Sequence, residues 1–110
     1  MSQRRIAIIS GAGSGVGAAC AKALAARGAD CVLIGRNKEK LAATASSLPL
    51  QQGAETLICA GDITDSAFSE NVLSMVVEKF GRRPIDLVNS AGVIARRTAE
   101  STTDEEWRRV

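Results

Sequence analysis

A glycine-rich segment between an apolar run and an alanine-rich stretch constrains this chain more than any other feature. Residues 10–17 read Ser-Gly-Ala-Gly-Ser-Gly-Val-Gly and directly follow the apolar residues 6–9. A strand, a glycine turn and a helix in that order place a diphosphate at the N-terminus of the helix. Glycine is needed because side chains would keep the diphosphate away from the backbone N–H groups. The segment therefore predicts nucleotide binding, and its lack of a Lys-Ser/Thr ending argues against a P-loop NTPase.

Strand patterns recur along the chain. Short apolar runs are typical of strands buried on both faces of a parallel sheet, and they occupy residues 6–9, 31–34, 56–60 and 85–88. Because helical patterns separate them, we predict an α/β fold, a doubly wound, Rossmann-like parallel sheet of strand order 3-2-1-4. We expect this sheet to be truncated after strand four and the start of the following helix. The binding crevice is expected at the carboxyl ends of strands one and four, where the order switches.

The helices between these strands carry recognisable start and stop residues. The first is expected behind the glycine turn, with Gly28 after its end, and its alanines permit close packing on a sheet. Its apolar residues at helical spacing are Val16, Ala19, Cys20, Ala23 and Leu24. The second is predicted over 38–47 with Asn37 as its cap. Thr64 or Asp65 can cap the third, which ends at Gly81.

The end of the second predicted strand bears on the kind of nucleotide. Dinucleotide folds often carry an acidic residue there, which binds the ribose 2′-hydroxyl. This chain has Gly35 and Arg36 instead, with Lys38 and Lys40 nearby. A guanidinium can hold a 2′-phosphate with two hydrogen bonds, which favours NADP(H) over NAD(H). The alternative is an ordinary solvated arginine at the start of a helix.

Two further segments follow strands three and four at the same edge of the predicted sheet. Asp62, followed by Ile63, can accept a hydrogen bond from an adenine amino group, or it can simply cap the next helix. Residues 89–92 read Asn-Ser-Ala-Gly, small residues that let backbone approach a ligand or a neighbouring strand. Asn89 can bridge two backbone segments. A plain turn is the alternative reading of this segment.

Together these segments resemble the short-chain dehydrogenase/reductase family. Residues 10–17 resemble its Thr-Gly-x-x-x-Gly-x-Gly signature, with Ser10 in place of Thr, and residues 89–92 resemble its Asn-Asn-Ala-Gly, with Ser90 in place of the second Asn. Asp62 matches the family's adenine-contacting acid, and Thr103 and Trp107 match the residues that open its next helix. The resemblance covers nearly the whole chain, from residue 6 to residue 110.

The resemblance implies a cofactor, a reaction and a set of cofactor-binding residues. Family members transfer a hydride between NAD(P)(H) and a carbonyl or hydroxyl carbon of a small molecule. The implied cofactor-binding residues are Ser10, Gly11, Gly13, Ser14, Gly15, Val16, Gly17, Arg36, Asp62, Ile63, Asn89, Ala91 and Gly92. The family's catalytic Asn, Ser and Tyr-x-x-x-Lys are expected beyond Val110. The chain contains no Tyr, so no catalytic residue is assigned and these residues alone are expected to be inactive.

Composition narrows the partners and the compartment. The net charge is +2, from 14 Lys and Arg against 12 Asp and Glu. The Arg-Arg pairs at 4–5, 82–83, 96–97 and 108–109 lack interleaved aromatics, so neither feature favours nucleic-acid binding. The chain has no His, and its three cysteines fit no metal or redox motif. No segment is apolar and long enough to suggest a membrane span or a signal peptide. We therefore expect a cytoplasmic protein without a metal site.

The predicted sheet ends at strand four, which would leave one edge of that strand open. Residues 1–110 are therefore expected to be the N-terminal dinucleotide-binding half of one Rossmann-like domain, marginally stable alone and homo-oligomeric at full length. The alternative is a naturally short, non-catalytic nucleotide-binding or assembly module. A downstream Tyr-x-x-x-Lys would favour the enzyme. Arg96 and Arg97 can attract an anionic substrate or belong to a solvated loop, and the substrate itself is not readable.

Overall fold

The computed structural model describes residues 4–13 and 15–89, together with the backbone of a strand at 94–98. Strands and helices alternate through most of this length, as the sequence predicts. In chain order the elements are β1 (Ile6–Ser10), α1 (Gly15–Ala26), β2 (Asp30–Gly35), α2 (Lys38–Ser47), β3 (Thr56–Ala60), α3 (Ser66–Phe80), β4 (Pro84–Val88) and β5 (Ile94–Thr98).

The strands form one sheet of order β3-β2-β1-β4-β5, in which the first four strands run parallel. This confirms the predicted 3-2-1-4 order and the Rossmann-like α/β fold. β1 lies at the centre and pairs with β2 on one side and β4 on the other. The register aligns Ser10 with Ile34, and Gly35 with Ala60, so the carboxyl ends of three strands meet at one edge of the sheet.

The expectation of an open edge on β4 is wrong in this structure. β5 pairs antiparallel with β4, from Val88 opposite Ile94 to Pro84 opposite Thr98. The physical reason is that an uncovered strand edge exposes a row of unpaired N–H and C=O groups, which the next segment of chain can pair. The segment at 94–98, expected as a loop, is therefore a strand. The helix expected near Thr103 lies outside the described residues.

Apolar residues pack on both faces of the sheet. β1 is buried along its whole length, and its residues alternate between two clusters. Ile6 and Ile8 pack with Val72 and Val76 of α3 on one face. On the other face, Ala7 and Ile9 belong to the cluster that contains residues of α1 and α2. Full burial of each large aliphatic side chain contributes about 1.5–3 kcal/mol, so this two-sided burial fixes β1 as the central strand.

The buried face of α1 differs from the one that helical spacing suggested. Its buried residues are Gly17, Ala21 and Ala25, four residues apart, whereas Val16 is 59% exposed. Small residues on this face let the helix lie close to the sheet and to the turn before it. Because nearly every position of α1 is small or apolar, the sequence pattern identified the helix but not its inward stripe.

The caps of the later helices settle two open alternatives. Asn37 accepts a hydrogen bond from the backbone N–H of Lys40 at 3.0 Å, as predicted. Asp65, not Thr64, caps α3, since its carboxylate accepts from the N–H of Ala67 at 2.9 Å. Asp62 is therefore not the cap of this helix. Its carboxylate makes other contacts, at the end of the sheet where the carboxyl ends of β1, β2 and β3 lie.

A buried ion pair lies at the opposite, amino-terminal end of the sheet. Asp30, at the start of β2, accepts from the Arg83 guanidinium at 2.7 Å and from the backbone N–H of Glu55 at 2.8 Å. The side chains of Asp30 and Arg83 are only 6% and 16% exposed. The Arg83 guanidinium also lies 5.5 Å from the centre of the Phe80 ring. These contacts connect the start of β2 to the segment between α3 and β4.

We predict that Arg83→Met lowers the free energy of unfolding by about 3 kcal/mol, because it leaves the Asp30 carboxylate buried without its counter-charge. The value is at the low end for a buried pair, since Asp30 keeps the N–H of Glu55. Urea denaturation of the protein that carries this chain measures the change. Arg82→Met removes the same charge from an exposed neighbour, whose surface interactions are weak, and should change stability by less than about 1 kcal/mol. Equal losses in the two variants would contradict a specific role for the Arg83–Asp30 pair.

Candidate nucleotide-binding site

The carboxyl ends of β1, β2 and β3 open into a cleft of about 210 Å³. This cleft brings together five of the residues proposed from the sequence as cofactor-binding. Its described lining consists of Ser10, Gly11, Ile34, Gly35, Arg36, Gly61, Asp62, Ile63 and Thr64. Asn89 directly follows β4, the neighbour of β1 on the other side, and is half-buried. Ser14, Ala91 and Gly92 lie outside the described residues.

The glycine turn between β1 and α1 is held against both neighbouring elements. The N–H of Ala12 donates to the carbonyl of Ile34 at 3.1 Å, which attaches the turn to the end of β2. The buried hydroxyl of Thr44 donates to the carbonyl of Ala12 at 2.9 Å, which attaches it to α2. Gly11 has a φ of 64°, in the left-handed region that glycine adopts without strain. The turn is therefore anchored by its backbone and leaves little side-chain bulk toward the cleft.

Gly17 shows why the turn requires glycine inside the helix as well. A Cβ built on Gly17 would lie 2.1 Å from the carbonyl oxygen of Gly11, far inside van der Waals contact. The first turn of α1 therefore packs directly on the backbone of the glycine turn. At Gly13 a Cβ would approach the Cβ of Lys40 to 3.1 Å, which brings the start of α2 beside the same turn.

The N-terminus of α1 provides a favourable environment for an anion. The helix begins at Gly15 and has no acidic residue in its first turn. Unpaired N–H groups and the helix dipole at such an end stabilise an exposed negative charge by about 0.3–1 kcal/mol. Val16, in the same turn, presents an exposed apolar side chain. This end of the helix can therefore bind a phosphate group that lies beside an apolar part of the ligand.

Hydrogen bonds between adjacent strand ends fix the floor of the cleft. The Ser10 hydroxyl donates to the carbonyl of Val88 at 3.3 Å, joining the ends of β1 and β4. The N–H of Gly61 donates to the carbonyl of Gly35 at 2.8 Å, joining the ends of β3 and β2. These contacts extend the sheet's pairing into the loops, so the groups lining the cleft are positioned by the sheet itself.

Asp62 is held by one neighbour and paired with another. Its Oδ1 accepts from the hydroxyl of Thr64 at 2.7 Å and from the Thr64 backbone N–H at 2.9 Å. Its Oδ2 lies 3.2 Å from Nη2 of Arg36. The hydroxyl of Thr64, followed by its N–H and the charge of Arg36, lowers the pKa of Asp62 below its ordinary value. The carboxylate is therefore ionised at neutral pH, and the ion pair persists there.

Arg36 itself extends into solvent. Its side chain is 79% exposed, against 45% for Asp62, so this pair is a surface contact at the rim of the cleft. Arg36 follows the last residue of β2 and precedes Asn37, the cap of α2. The cap fixes the backbone direction at that point, and the guanidinium spans the gap between the ends of β2 and β3.

Sequence patterns alone do not identify three residues that lie at or beside the cleft. Thr64 was considered only as a helix cap, although an Asp two residues before a Thr is a recognisable signal for a local side-chain turn. A Cβ on Gly61 would lie 2.4 Å from the Phe68 ring, and this tertiary contact cannot be predicted from the local sequence. The hydroxyl of Thr44 falls on the buried face of α2, where sequence spacing alone predicts only packing.

Comparison with known proteins gives consistent matches. The sequence profile for short chain dehydrogenase matches residues 5–110. The 2,3-dihydro-2,3-dihydroxybenzoate dehydrogenase of Bacillus subtilis is 38% identical over 104 residues, which cover 94% of this chain and 39% of that protein. The meso-2,3-butanediol dehydrogenase of Serratia marcescens is 35% identical over 106 residues, covering 96% of this chain and 41% of that protein. The chain thus spans about two fifths of these relatives' length.

Solved structures show the same likeness. The L-sorbose reductase of Gluconobacter frateurii, complexed with NADPH and L-sorbose, superposes with a TM-score of 0.71 at 34% identity, covering 96% of this chain and 40% of that one. A metagenomic short-chain oxidoreductase in complex with NADP gives a TM-score of 0.66 at 32% identity, covering 76% of this chain and 37% of that one. Within the part of the chain that the structure describes, no helix is long and apolar enough to cross a membrane. Sequence and structure together show that the chain belongs to the short-chain dehydrogenase family.

Proposed function

We propose that this chain is the cofactor-binding half of an NADP(H)-dependent oxidoreductase. The enzyme would transfer a hydride between the nicotinamide and a carbonyl or hydroxyl carbon of a small molecule. The observation that carries the proposal is the position of Arg36, which places a guanidinium at the rim of the cleft where β2 ends. Family membership and relatives crystallised with NADPH or NADP support the choice of a nicotinamide cofactor.

The diphosphate is assigned to the glycine turn and the start of α1. There the backbone of Ala12 is anchored, Gly17 permits close approach, and the first turn of α1 carries no acidic residue. Backbone N–H groups at a helix N-terminus bind phosphate oxygens in this way. The residues assigned to this part of the cofactor are Ser10, Gly11, Gly13, Ser14, Gly15, Val16 and Gly17.

The adenosine portion is assigned to the cleft between the ends of β2 and β3. The ionised carboxylate of Asp62 can accept a hydrogen bond from the adenine amino group, and the backbone of Ile63 follows it along the same wall. Arg36 at the opposite wall is assigned to the ribose 2′-phosphate. Lys40, whose Cβ would lie 3.1 Å from a Cβ on Gly13, is proposed to add positive charge near the glycine turn.

The remaining assignments concern the nicotinamide side and the whole protein. Asn89, Ala91 and Gly92 follow β4, where backbone close to the cofactor is needed. The hydride-transferring groups are proposed to lie outside these 110 residues, in a longer protein that acts on a small carbonyl or alcohol and forms homo-oligomers. A cytoplasmic location is proposed because Cys20, Cys31 and Cys59 are free thiols.

We predict that Arg36→Asp, in the protein that carries this chain, shifts preference from NADP(H) toward NAD(H). The change removes the phosphate-binding guanidinium and places a carboxylate where it can accept from the ribose 2′-hydroxyl. Losing one charge-assisted contact of about 1.5–3 kcal/mol corresponds to a ten- to hundredfold fall in the NADP/NAD ratio of kcat/KM. Arg27→Asp, a matched charge reversal after the far end of α1, should leave the ratio unchanged. An unchanged ratio in Arg36→Asp would refute the assignment.

We predict that Gly17→Ala weakens binding of NAD(H) and NADP(H) alike, because the new Cβ would collide with the Gly11 carbonyl and displace the glycine turn. A tenfold or larger rise in both dissociation constants is expected, since about 1.4 kcal/mol of lost phosphate contact suffices. Fluorescence titration with each reduced cofactor measures it. Ala19→Gly, on the exposed face of α1, lowers helix stability by about 1 kcal/mol without a collision. Comparable loss of binding in both variants would show that helix stability, rather than turn geometry, is responsible.

A further inference from the structure

The guanidinium assigned to the 2′-phosphate already has an anionic partner. Nη2 of Arg36 lies 3.2 Å from Oδ2 of Asp62, across the mouth of the cleft between β2 and β3. Arg36 follows β2, whereas Asp62 follows the end of β3, so the contact joins the two walls of the adenosine cleft. An incoming 2′-phosphate and this carboxylate would compete for the N–H donors of the same guanidinium.

Thr64 keeps the competing carboxylate in place. Both hydrogen bonds from Thr64 reach Oδ1 of Asp62, so Oδ2 remains presented to Arg36. Losing the contact with Arg36 would therefore not release Asp62 from the rim. Arg36, by contrast, is 79% exposed and free to reorient. Displacement would move the arginine and leave the carboxylate as a nearby negative charge.

The ion pair between Arg36 and Asp62 is weak enough for a phosphate to replace the carboxylate. Ion pairs between exposed side chains are weak, so a ligand with higher charge can displace one partner. A phosphate monoester carries about −1.5 to −2 charges at pH 7 and three acceptor oxygens, against one charge on a carboxylate. A nucleotide with a free 2′-hydroxyl carries no such charge at the 2′ position and leaves the ion pair intact.

We propose that Asp62 is a specificity-determining residue that limits preference for 2′-phosphorylated nucleotides by competing with the 2′-phosphate for Arg36. This inference rests on the proposed function, because it takes the adenosine moiety to occupy the cleft. Asp62 acts on the phosphorylated nucleotide in two ways, since it occupies Arg36 before binding and repels the phosphate afterwards. Its hydrogen bond to adenine, in contrast, would be common to both nucleotides and cancels in their affinity ratio.

The test compares two probes, adenosine 2′,5′-bisphosphate and 5′-AMP, by isothermal titration of the protein that carries this chain. Asp62→Asn keeps an acceptor for Thr64 and removes the charge facing Arg36. We expect the affinity ratio of the bisphosphate over 5′-AMP to rise about two- to fivefold, the range for an exposed ion pair. Asp65→Asn is the matched control, because it removes the same charge three residues away while asparagine still caps α3. Its ratio should stay at the parental value.

The same pair of measurements in an Arg36→Met background separates competition from repulsion. If Asp62 competes for Arg36, the effect of Asp62→Asn shrinks when Arg36 is absent. An unchanged or lower ratio in Asp62→Asn, or an equal rise with and without Arg36, overturns the inference. A parent that prefers the bisphosphate while Asp62→Asn has no effect leaves the proposed function standing and rejects only the inference. If neither the unsubstituted protein nor the Asp62→Asn variant prefers the bisphosphate over 5′-AMP, the proposed role of Arg36 is rejected as well.

Discussion

The close approach of α1 to the glycine turn is the contact on which the candidate site depends. At Gly17 the helix backbone leaves no room for a Cβ beside the Gly11 carbonyl. This contact sets where α1 begins relative to the end of β1, and therefore where its positive end points. The buried stripe of Gly17, Ala21 and Ala25 maintains the same short distance along the helix. Larger residues on that stripe would lift the helix and move its N-terminus away from the cleft.

Sheet topology then determines which groups reach the cleft. Because β1 pairs with β2 on one side and β4 on the other, the chain diverges in opposite directions from its carboxyl end. The space left between the diverging connections is where open α/β sheets bind ligands. Parallel register brings the ends of β2 and β3 level with it, which explains how Arg36 and Asp62, distant in sequence, come within 3.2 Å. A local change in strand register would separate them.

Much of the fold could be predicted from sequence, because it depends on local patterns. The bounds Lys38–Ser47 and Thr56–Ala60 match the predictions, since a clear cap and a clear apolar run define them. The inward face of α1 could not be predicted, because alanine on every side gives almost no periodicity. β5 could not be predicted, because its own sequence has no clear strand pattern. It forms because its backbone pairs with the exposed edge of β4. The Arg36–Asp62 contact was missed for a similar reason, as each residue was assigned a separate partner in the ligand.

The ion pair of Asp30 and Arg83 lies at the end of the sheet opposite the cleft and is nearly buried, whereas Arg36 and Asp62 are exposed at the rim. Mutations at the two ends are therefore expected to have different physical consequences. If the rim binds the cofactor as proposed, a substitution there would change ligand preference with little disturbance of packing, because both side chains are exposed. A substitution at the buried pair risks unfolding before it can alter activity. Under the proposed function, residues that select the ligand and residues that hold the fold would therefore lie at opposite ends of the sheet.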